Sequence, residues 1–218
     1  MKPLILVNFK VYPESTGRKG ERLAKTLGRV KSKKYEIGLA PSLLDIQEIS
    51  RKAKGNIFAQ HAEGVELGAH TGSIPLKQLK ESGVRGIILN HSERRIAFLE
   101  IRRTVELSKK EKLITVVCAG SLWQVKRMAK LKPDYIAYEP RKLIGGDISV
   151  TKVQPKIIIK AVQAIKKRSY KTSLLCGAGV HNKEDLGQAL LLGAEGVLIA
   201  HALIKAKNPE KYLKELLI

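Results

Sequence analysis

The chain has 218 residues, 44% of them hydrophobic and 28% charged, with Lys plus Arg at 41 against Asp plus Glu at 20. That length suits one generous domain, and apolar runs such as Gly86–Leu89 and Leu113–Cys118 are strand-length, far short of a membrane span. Its two cysteines, Cys118 and Cys176, lie inside apolar runs at a spacing that suits neither zinc nor a disulfide framework, so two buried free thiols are expected.

The apolar stretch of Met1–Asn8 is too short for a signal peptide and no small-residue cleavage site follows it, so a cytoplasmic protein is expected. Many lysines with few Met and Cys suit a thermophilic source. A formal charge of +21 draws anionic substrates and, nonspecifically, nucleic acid. The cations read as solvated helical faces, Arg18, Lys19, Arg22 and Lys25 on one helix and Lys156, Lys160, Lys166 and Lys167 on another. With one Trp, three Phe and six Tyr in the chain there is no stacking platform, and no specific nucleic-acid partner is expected.

In chain order, β-rich runs fall at Leu4–Phe9, Glu36–Ala40, Asn56–Gln60, Gly86–Asn90, Ile114–Ala119, Tyr135–Glu139, Ser173–Cys176 and Gly196–Ala200. Each is nearly continuous in apolar character, as a parallel strand covered on both faces must be. Helical patterns alternate with them. Gly17–Val30 carries Leu23, Ala24, Leu27 and Val30 on one stripe. Leu44–Ala53, a short Leu76–Ser82, Ile96–Lys110, Leu122–Leu131, Gln154–Lys167, Lys183–Leu192 and Pro209–Leu217 follow. Unbroken strand–helix alternation with eight strands predicts an α/β protein, a (β/α)8 barrel forming one domain over residues 1–218. The competing architecture is an open doubly wound sheet, which usually has a glycine-rich turn after its first strand where this chain has Asn8-Phe9-Lys10.

A barrel of this kind builds its site at the C-terminal ends of the strands, so the polar residues that end the apolar runs are the candidates. The first strand delivers Asn8 and Lys10 to one side and Phe9 to the other. The fourth ends in Asn90-His91-Ser92-Glu93-Arg94-Arg95, the sixth in Glu139-Pro140, the seventh in Cys176-Gly177-Ala178-Gly179 and the eighth in Ala200-His201. Glu139 suits proton transfer between carbons beside a carbonyl. His91 can donate to a developing oxyanion, Lys10 supplies fixed positive charge and Asn8 is a neutral donor. Gly177–Gly179 exposes backbone N–H groups ahead of a helix beginning near Asn182, a phosphate-binding arrangement. Each has a plainer reading. Glu139 could pair with Arg141 or Lys142, Lys10 could be one more solvated lysine, His91 could cap the next helix, and the glycines could serve a tight turn. All four together favour a site.

At these residues the chain resembles the triosephosphate isomerase family over nearly its full length. Asn8-Phe9-Lys10 resembles the family's Asn-x-Lys, and Asn90–Arg95 its catalytic-histidine motif. Tyr138-Glu139-Pro140 with Leu143-Ile144-Gly145 resembles its catalytic glutamate and mobile sixth loop. The compact length, Gly68–Gly72 and Cys176–Gly179 are most similar to the short archaeal form. The resemblance implies a TIM barrel that interconverts dihydroxyacetone phosphate and glyceraldehyde 3-phosphate without cofactor or metal, a step of glycolysis and gluconeogenesis. It implies Glu139 as the base, His91 as the electrophile, Lys10 and Asn8 in support, and Glu93 holding Lys10. Phe9, Ile144, Gly145, Gly179, Ala200 and His201 complete the implied substrate site, and residues 140–147 the lid, whose closure would expel water. Thr71 stands where the family's third loop reaches a neighbouring subunit, which implies a homodimer, or a homotetramer in the archaeal form.

Two departures bear on phosphate. The lid reads Ile144-Gly145-Gly146-Asp147 where the family usually has Ile-Gly-Thr-Gly, and the eighth strand runs into Ala200-His201-Ala202 in place of Ala-Ser-Gly. Weaker substrate affinity with intact chemistry is expected. His61, His70 and His181 are expected to be structural. Rival readings are another phosphosugar isomerase or an aldolase on the same barrel, the aldolase disfavoured because no strand interior holds a lysine, and a noncatalytic anion- or RNA-binding paralogue.

Overall fold

The computed structural model describes residues 2–140 and 155–218. Its strands are β1 (Leu4–Asn8), β2 (Glu36–Ala40), β3 (Asn56–Ala59), β4 (Gly86–Leu89), β5 (Ile114–Ala119), β6 (Tyr135–Tyr138), β7 (Ser173–Cys176) and β8 (Gly196–Ile199). All neighbours are parallel and follow chain order, and β8 returns to β1 with Leu4 opposite Gly196, closing the barrel. The open-sheet alternative is thereby discarded. β3, β4 and β6 stop one residue short of the polar run ends Gln60, Asn90 and Glu139, β8 stops before Ala200 and β1 before Phe9. The backbone turns there: Asn90 and Lys10 take left-handed φ values of 58° and 51°.

Among the described residues the helices are α1 (Gly17–Leu27), α2 (Ile46–Lys52), α3 (Leu76–Glu81), α4 (Phe98–Lys110), α5 (Leu122–Met128), α6 (Pro155–Lys166), α7 (Lys183–Leu191), α8 (His201–Ile204) and α9 (Pro209–Leu216). Side-chain caps start several of them: Ser121 accepts from Gln124 N–H, Asn182 from Asp185 N–H and Asn208 from Lys211 N–H. Helix α8 is absent from the sequence reading, because four residues are too few to show a period. None of the described helices is long and apolar enough to cross a membrane.

The period of two along each strand divides the core into two layers. Leu4, Leu6, Phe58, Ile88, Val116, Cys118, Tyr135, Ala137, Leu175 and Leu198 form one buried cluster, the barrel interior. The alternate strand residues, such as Ile5, Val7, Leu39, Ile87, Val117 and Ile136, pack outward against the helices in a second, larger cluster. Phe58 dominates the interior. A β-carbon at Gly86 would lie 2.4 Å from its ring and one at Gly38 2.8 Å from it, so these two strands carry glycine where the ring needs room. Cys118 and Cys176 are both buried free thiols.

Candidate active site

Continuing each inward set by two residues leads to the rim. Leu6 leads to Asn8, Ile88 to Asn90, Ala137 to Glu139, Leu175 to Gly177 and Leu198 to Ala200. The ladder carries on past the strand ends to support this, with Glu139 N–H donating to Ala119 O at 2.8 Å and Gly177 N–H to Tyr138 O at 3.0 Å. A cavity of about 240 Å3 opens at this end, and its walls include Asn8, Lys10, His91, Glu139, Gly179 and His201.

Lys10 is held from three sides. Its backbone N–H donates to Asn8 Oδ1 at 2.9 Å, its carbonyl accepts from Gln60 Nε2 at 2.9 Å, and its Nζ meets Glu93 Oε1 at 2.7 Å. A lysine at φ 51° pays a steric cost that these bonds offset. Burial alone would lower the Lys10 pKa, but the Glu93 hydrogen bond and charge, aided by Tyr12, outweigh it and hold the ammonium above its ordinary value of 10.5. The cation is thus fixed in place and in charge.

His91 follows a turn clamped by its neighbour. Asn90 Nδ2 donates to Cys118 O at 2.9 Å, Asn90 Oδ1 accepts from Ile96 N–H at 3.2 Å, and the Asn90 carbonyl accepts from Arg95 at 2.8 Å. The Glu93 backbone N–H donates to His91 Nδ1 at 3.2 Å. An imidazole that accepts at Nδ1 carries its proton on Nε2, and Nε2 lies 3.3 Å from Glu139 Oε1.

Glu139 is 2% exposed, and its Oε2 has no hydrogen-bond partner among the described residues. A buried acceptor without a partner is costly unless something else brings a proton to it. Gly177 makes room for it: a β-carbon there would sit 2.5 Å from Glu139 Cγ. Cys118 lies below, its thiol pushed well above the ordinary range by burial first and then by the Glu139 charge; burial takes Cys176 to about 12. Neither thiol is a nucleophile at neutral pH.

The far wall is backbone. Gly179 has φ 65° in the turn before the Asn182 cap of α7, and His201 opens α8 beside it. The His201 ring packs edge-on against Tyr12 with centroids 6.0 Å apart, and the Lys10 and Lys205 ammonium groups lie 5.8 and 5.1 Å from the same Tyr12 ring.

The structure therefore brings Asn8, Lys10, His91, Glu139, Gly179, Ala200 and His201 around one cavity, with Glu93 behind Lys10. Phe9 is a correction. It is fully buried in the outer layer against the helices and is not part of the cavity wall, because strand alternation turns it away from Asn8 and Lys10. Ile144, Gly145 and the rest of the expected lid beyond Pro140 lie outside the described residues. His61 is buried with Nε2 3.2 Å from Glu63, and His70 is exposed. His181 is placed on the cavity wall, which its sequence neighbourhood did not signal. Gly177, expected as part of a phosphate-binding turn, also seats Glu139. No group of His, Cys, Asp and Glu among the described residues could hold a metal ion.

A buried carboxylate, an imidazole N–H and an ammonium around a small cavity lined also by the Gly177–Gly179 turn, at the mouth of a (β/α)8 barrel, define an aldose–ketose isomerase-type site. The family model described as triosephosphate isomerase matches residues 3–216. Proteins named triosephosphate isomerase are similar along their whole length. That of Methanocaldococcus jannaschii is 39% identical over 98% of this chain and 98% of its own. That of Methanothermus fervidus is 38% identical over 99% and 98%, and that of Archaeoglobus fulgidus 38% over 98% and 96%. The chain belongs to the triosephosphate isomerase family.

Proposed function

We propose that this protein interconverts dihydroxyacetone phosphate and D-glyceraldehyde 3-phosphate through an enediolate, with Glu139 moving the proton between the two carbons. The observation that carries the assignment is the Glu139 carboxylate, buried, 3.3 Å from His91 Nε2, with its second oxygen unpaired among the described residues. A carboxylate so placed is a desolvated base aimed at a bound C–H. His91, protonated on Nε2, donates to the carbonyl oxygen and passes a proton between the two oxygens. Lys10 stabilises the negative charge that builds there, and Asn8 orders the lysine backbone. Gly145, Gly179, Ala200 and His201 hold the phosphate through backbone N–H groups, with Ile144 beside them and residues 140–147 as the lid. Gly146, Asp147 and His201 weaken that hold relative to the usual family residues. No cofactor takes part.

The whole chain acts as one domain in the cytoplasm of a thermophile and works as a homodimer or homotetramer. Val11, Leu44 and Leu67 support self-association: they are exposed apolar side chains on three successive rim connections. Loop residues 66–72, including Thr71, are exposed beside them.

A coupled assay with glyceraldehyde 3-phosphate tests the assignment. Glu139→Gln should lower kcat by about 1,000-fold or more, the upper part of the range for general base catalysis. Glu139→Asp should retain measurable turnover. Unchanged turnover in Glu139→Gln would leave the protein as an anion binder whose chemistry, if any, lies elsewhere.

A further inference from the structure

The positive charge is not spread evenly over the barrel. The connections that return each helix to the next strand all lie at the N-terminal end, opposite the cavity. The first of them carries Arg29, Lys31, Lys33 and Lys34, every one exposed. Lys54, Arg85 and Lys112 stand exposed in the next three. Lys130 and Lys132 follow before β6, and Lys167, Arg168 and Lys171 before β7. The acidic residues of these same connections are Glu111, Asp134 and Glu195 alone. Two of the three are engaged, Asp134 by Thr115 and Glu195 by Lys166. None of the named connection cations forms an ion pair among the described residues.

Two ordinary explanations fall short. Cations at helix C-termini offset the macrodipole, but Lys25, Arg51, Lys52, Lys109, Lys110 and Lys166 already occupy the last turns. Thermophilic lysines are usually woven into networks with glutamate, and the connection cations have no such partner among the described residues. Steering of an anionic substrate is no better, since the charge sits at the end of the barrel away from the cavity.

We infer that the N-terminal face of the barrel is a nonspecific binding platform for nucleic acid, read through its phosphodiester backbone. Two local features favour a strand over a flat bilayer. A recess of about 450 Å3 has Lys2, Lys31, Lys54 and Tyr35 in its lining against one carboxylate, Glu36, which accepts from Asn56 Nδ2, so three cations face one anion on a concave surface. Tyr170, 89% exposed, stands between Arg168 and Lys171, an aromatic face flanked by cations on which a base can stack. The phosphates would displace condensed counterions, so binding is governed by salt.

The test uses the full chain and fluorescein-labelled 20-nucleotide single-stranded RNA and DNA duplex, followed by anisotropy across a salt series. Wild type should bind both near 0.1 M salt with a steep inverse dependence on salt concentration. The triple variant Lys31→Glu/Lys33→Glu/Lys34→Glu should weaken both by about tenfold or more and flatten the salt slope. Arg18→Glu/Lys19→Glu/Arg22→Glu, with the same change in net charge on the α1 surface, should cost less than about threefold. Tyr170→Ala should weaken the single strand by about fivefold and spare the duplex. Isomerase activity within about twofold of wild type in every variant reports an intact fold. Equal losses in the two triple variants would reduce the effect to net charge and overturn the proposal. So would capture by anionic phosphatidylglycerol vesicles without oligonucleotide binding, or no binding by wild type.

Discussion

The two ends of this barrel are built from the same strands on the same alternation, yet one end is filled and the other is open. Toward the N-terminal end the interior positions are Leu4, Tyr135 and Phe58, with Gly38 and Gly86 yielding space so that a large ring closes the interior. Toward the C-terminal end the next positions become Asn8, Asn90 and Glu139, and a glycine again yields space, this time Gly177 to a carboxylate. Glycine serves packing at one end and chemistry at the other. The backbone differs as well: of the four non-glycine residues with positive φ among the described residues, Lys10 and Asn90 belong to the open end and help to aim the site, while Lys112 and Lys132 lie in connections at the closed end. Charge follows the opposite trend, with cations that form no ion pair among the described residues gathered around the closed end.

Substitutions that treat the two glycine seats alike should separate these roles. The largest effect is expected at Gly177→Ala, where the new methyl displaces Glu139: kcat should fall about 100-fold, as for a misplacement of roughly 1 Å, with KM little changed. Steady-state kinetics on a variant with unaltered circular dichroism would show it. Next is Glu93→Gln. It removes the main influence raising the Lys10 pKa and leaves burial, which lowers it, largely unopposed. The alkaline limb of kcat/KM should therefore move to lower pH, and an unmoved limb would mean that Lys10 does not govern it. Wild-type stability follows the same sign: the Lys10 contribution is full below 10.5 and is lost as pH rises through its raised folded value.

At the closed end the expectation reverses. Gly86→Ala crowds Phe58 and should cost about 1–3 kcal/mol of stability while kcat/KM stays within about twofold, measured by thermal denaturation and the coupled assay. The smallest effect concerns His61. Burial first, and then the Arg94 charge, hold its pKa below 6.5 in spite of Glu63. The folded chain therefore takes up that proton less readily than the unfolded one. Stability should fall as pH drops below about 6.5, at no more than about 1.4 kcal/mol per pH unit, until the lowered folded value is passed. His61→Gln should reduce that acid-side loss in denaturation curves at pH 5 and 7.

The barrel was legible because each strand is covered on both faces and reads as one apolar run, and because the polar residues that end those runs are also the rim. Asn8, Lys10, His91 and Glu139 were found by that logic alone, without any distance. What the chain hid is contact information. Nothing in a Cys-Gly-Ala-Gly string says that Gly177 seats a carboxylate from the preceding strand, nor that His181 will stand on the cavity wall. Phe9 was assigned to the site with its motif, although its odd position in the alternation already turned it outward. The basic face was hidden for a similar reason: its cations sit in short groups in separate connections and come together only when the helices return to one end.

The central claim is that Glu139 moves a proton between adjacent carbons of a triose phosphate. Proton NMR of dihydroxyacetone phosphate incubated with the protein in deuterium oxide tests it directly. Wild type should exchange one carbon-bound proton for deuterium as product forms, and Glu139→Gln should leave the substrate signal intact over the same period. Rapid exchange by the Gln variant, or turnover by wild type with no deuterium entering carbon, would contradict the account.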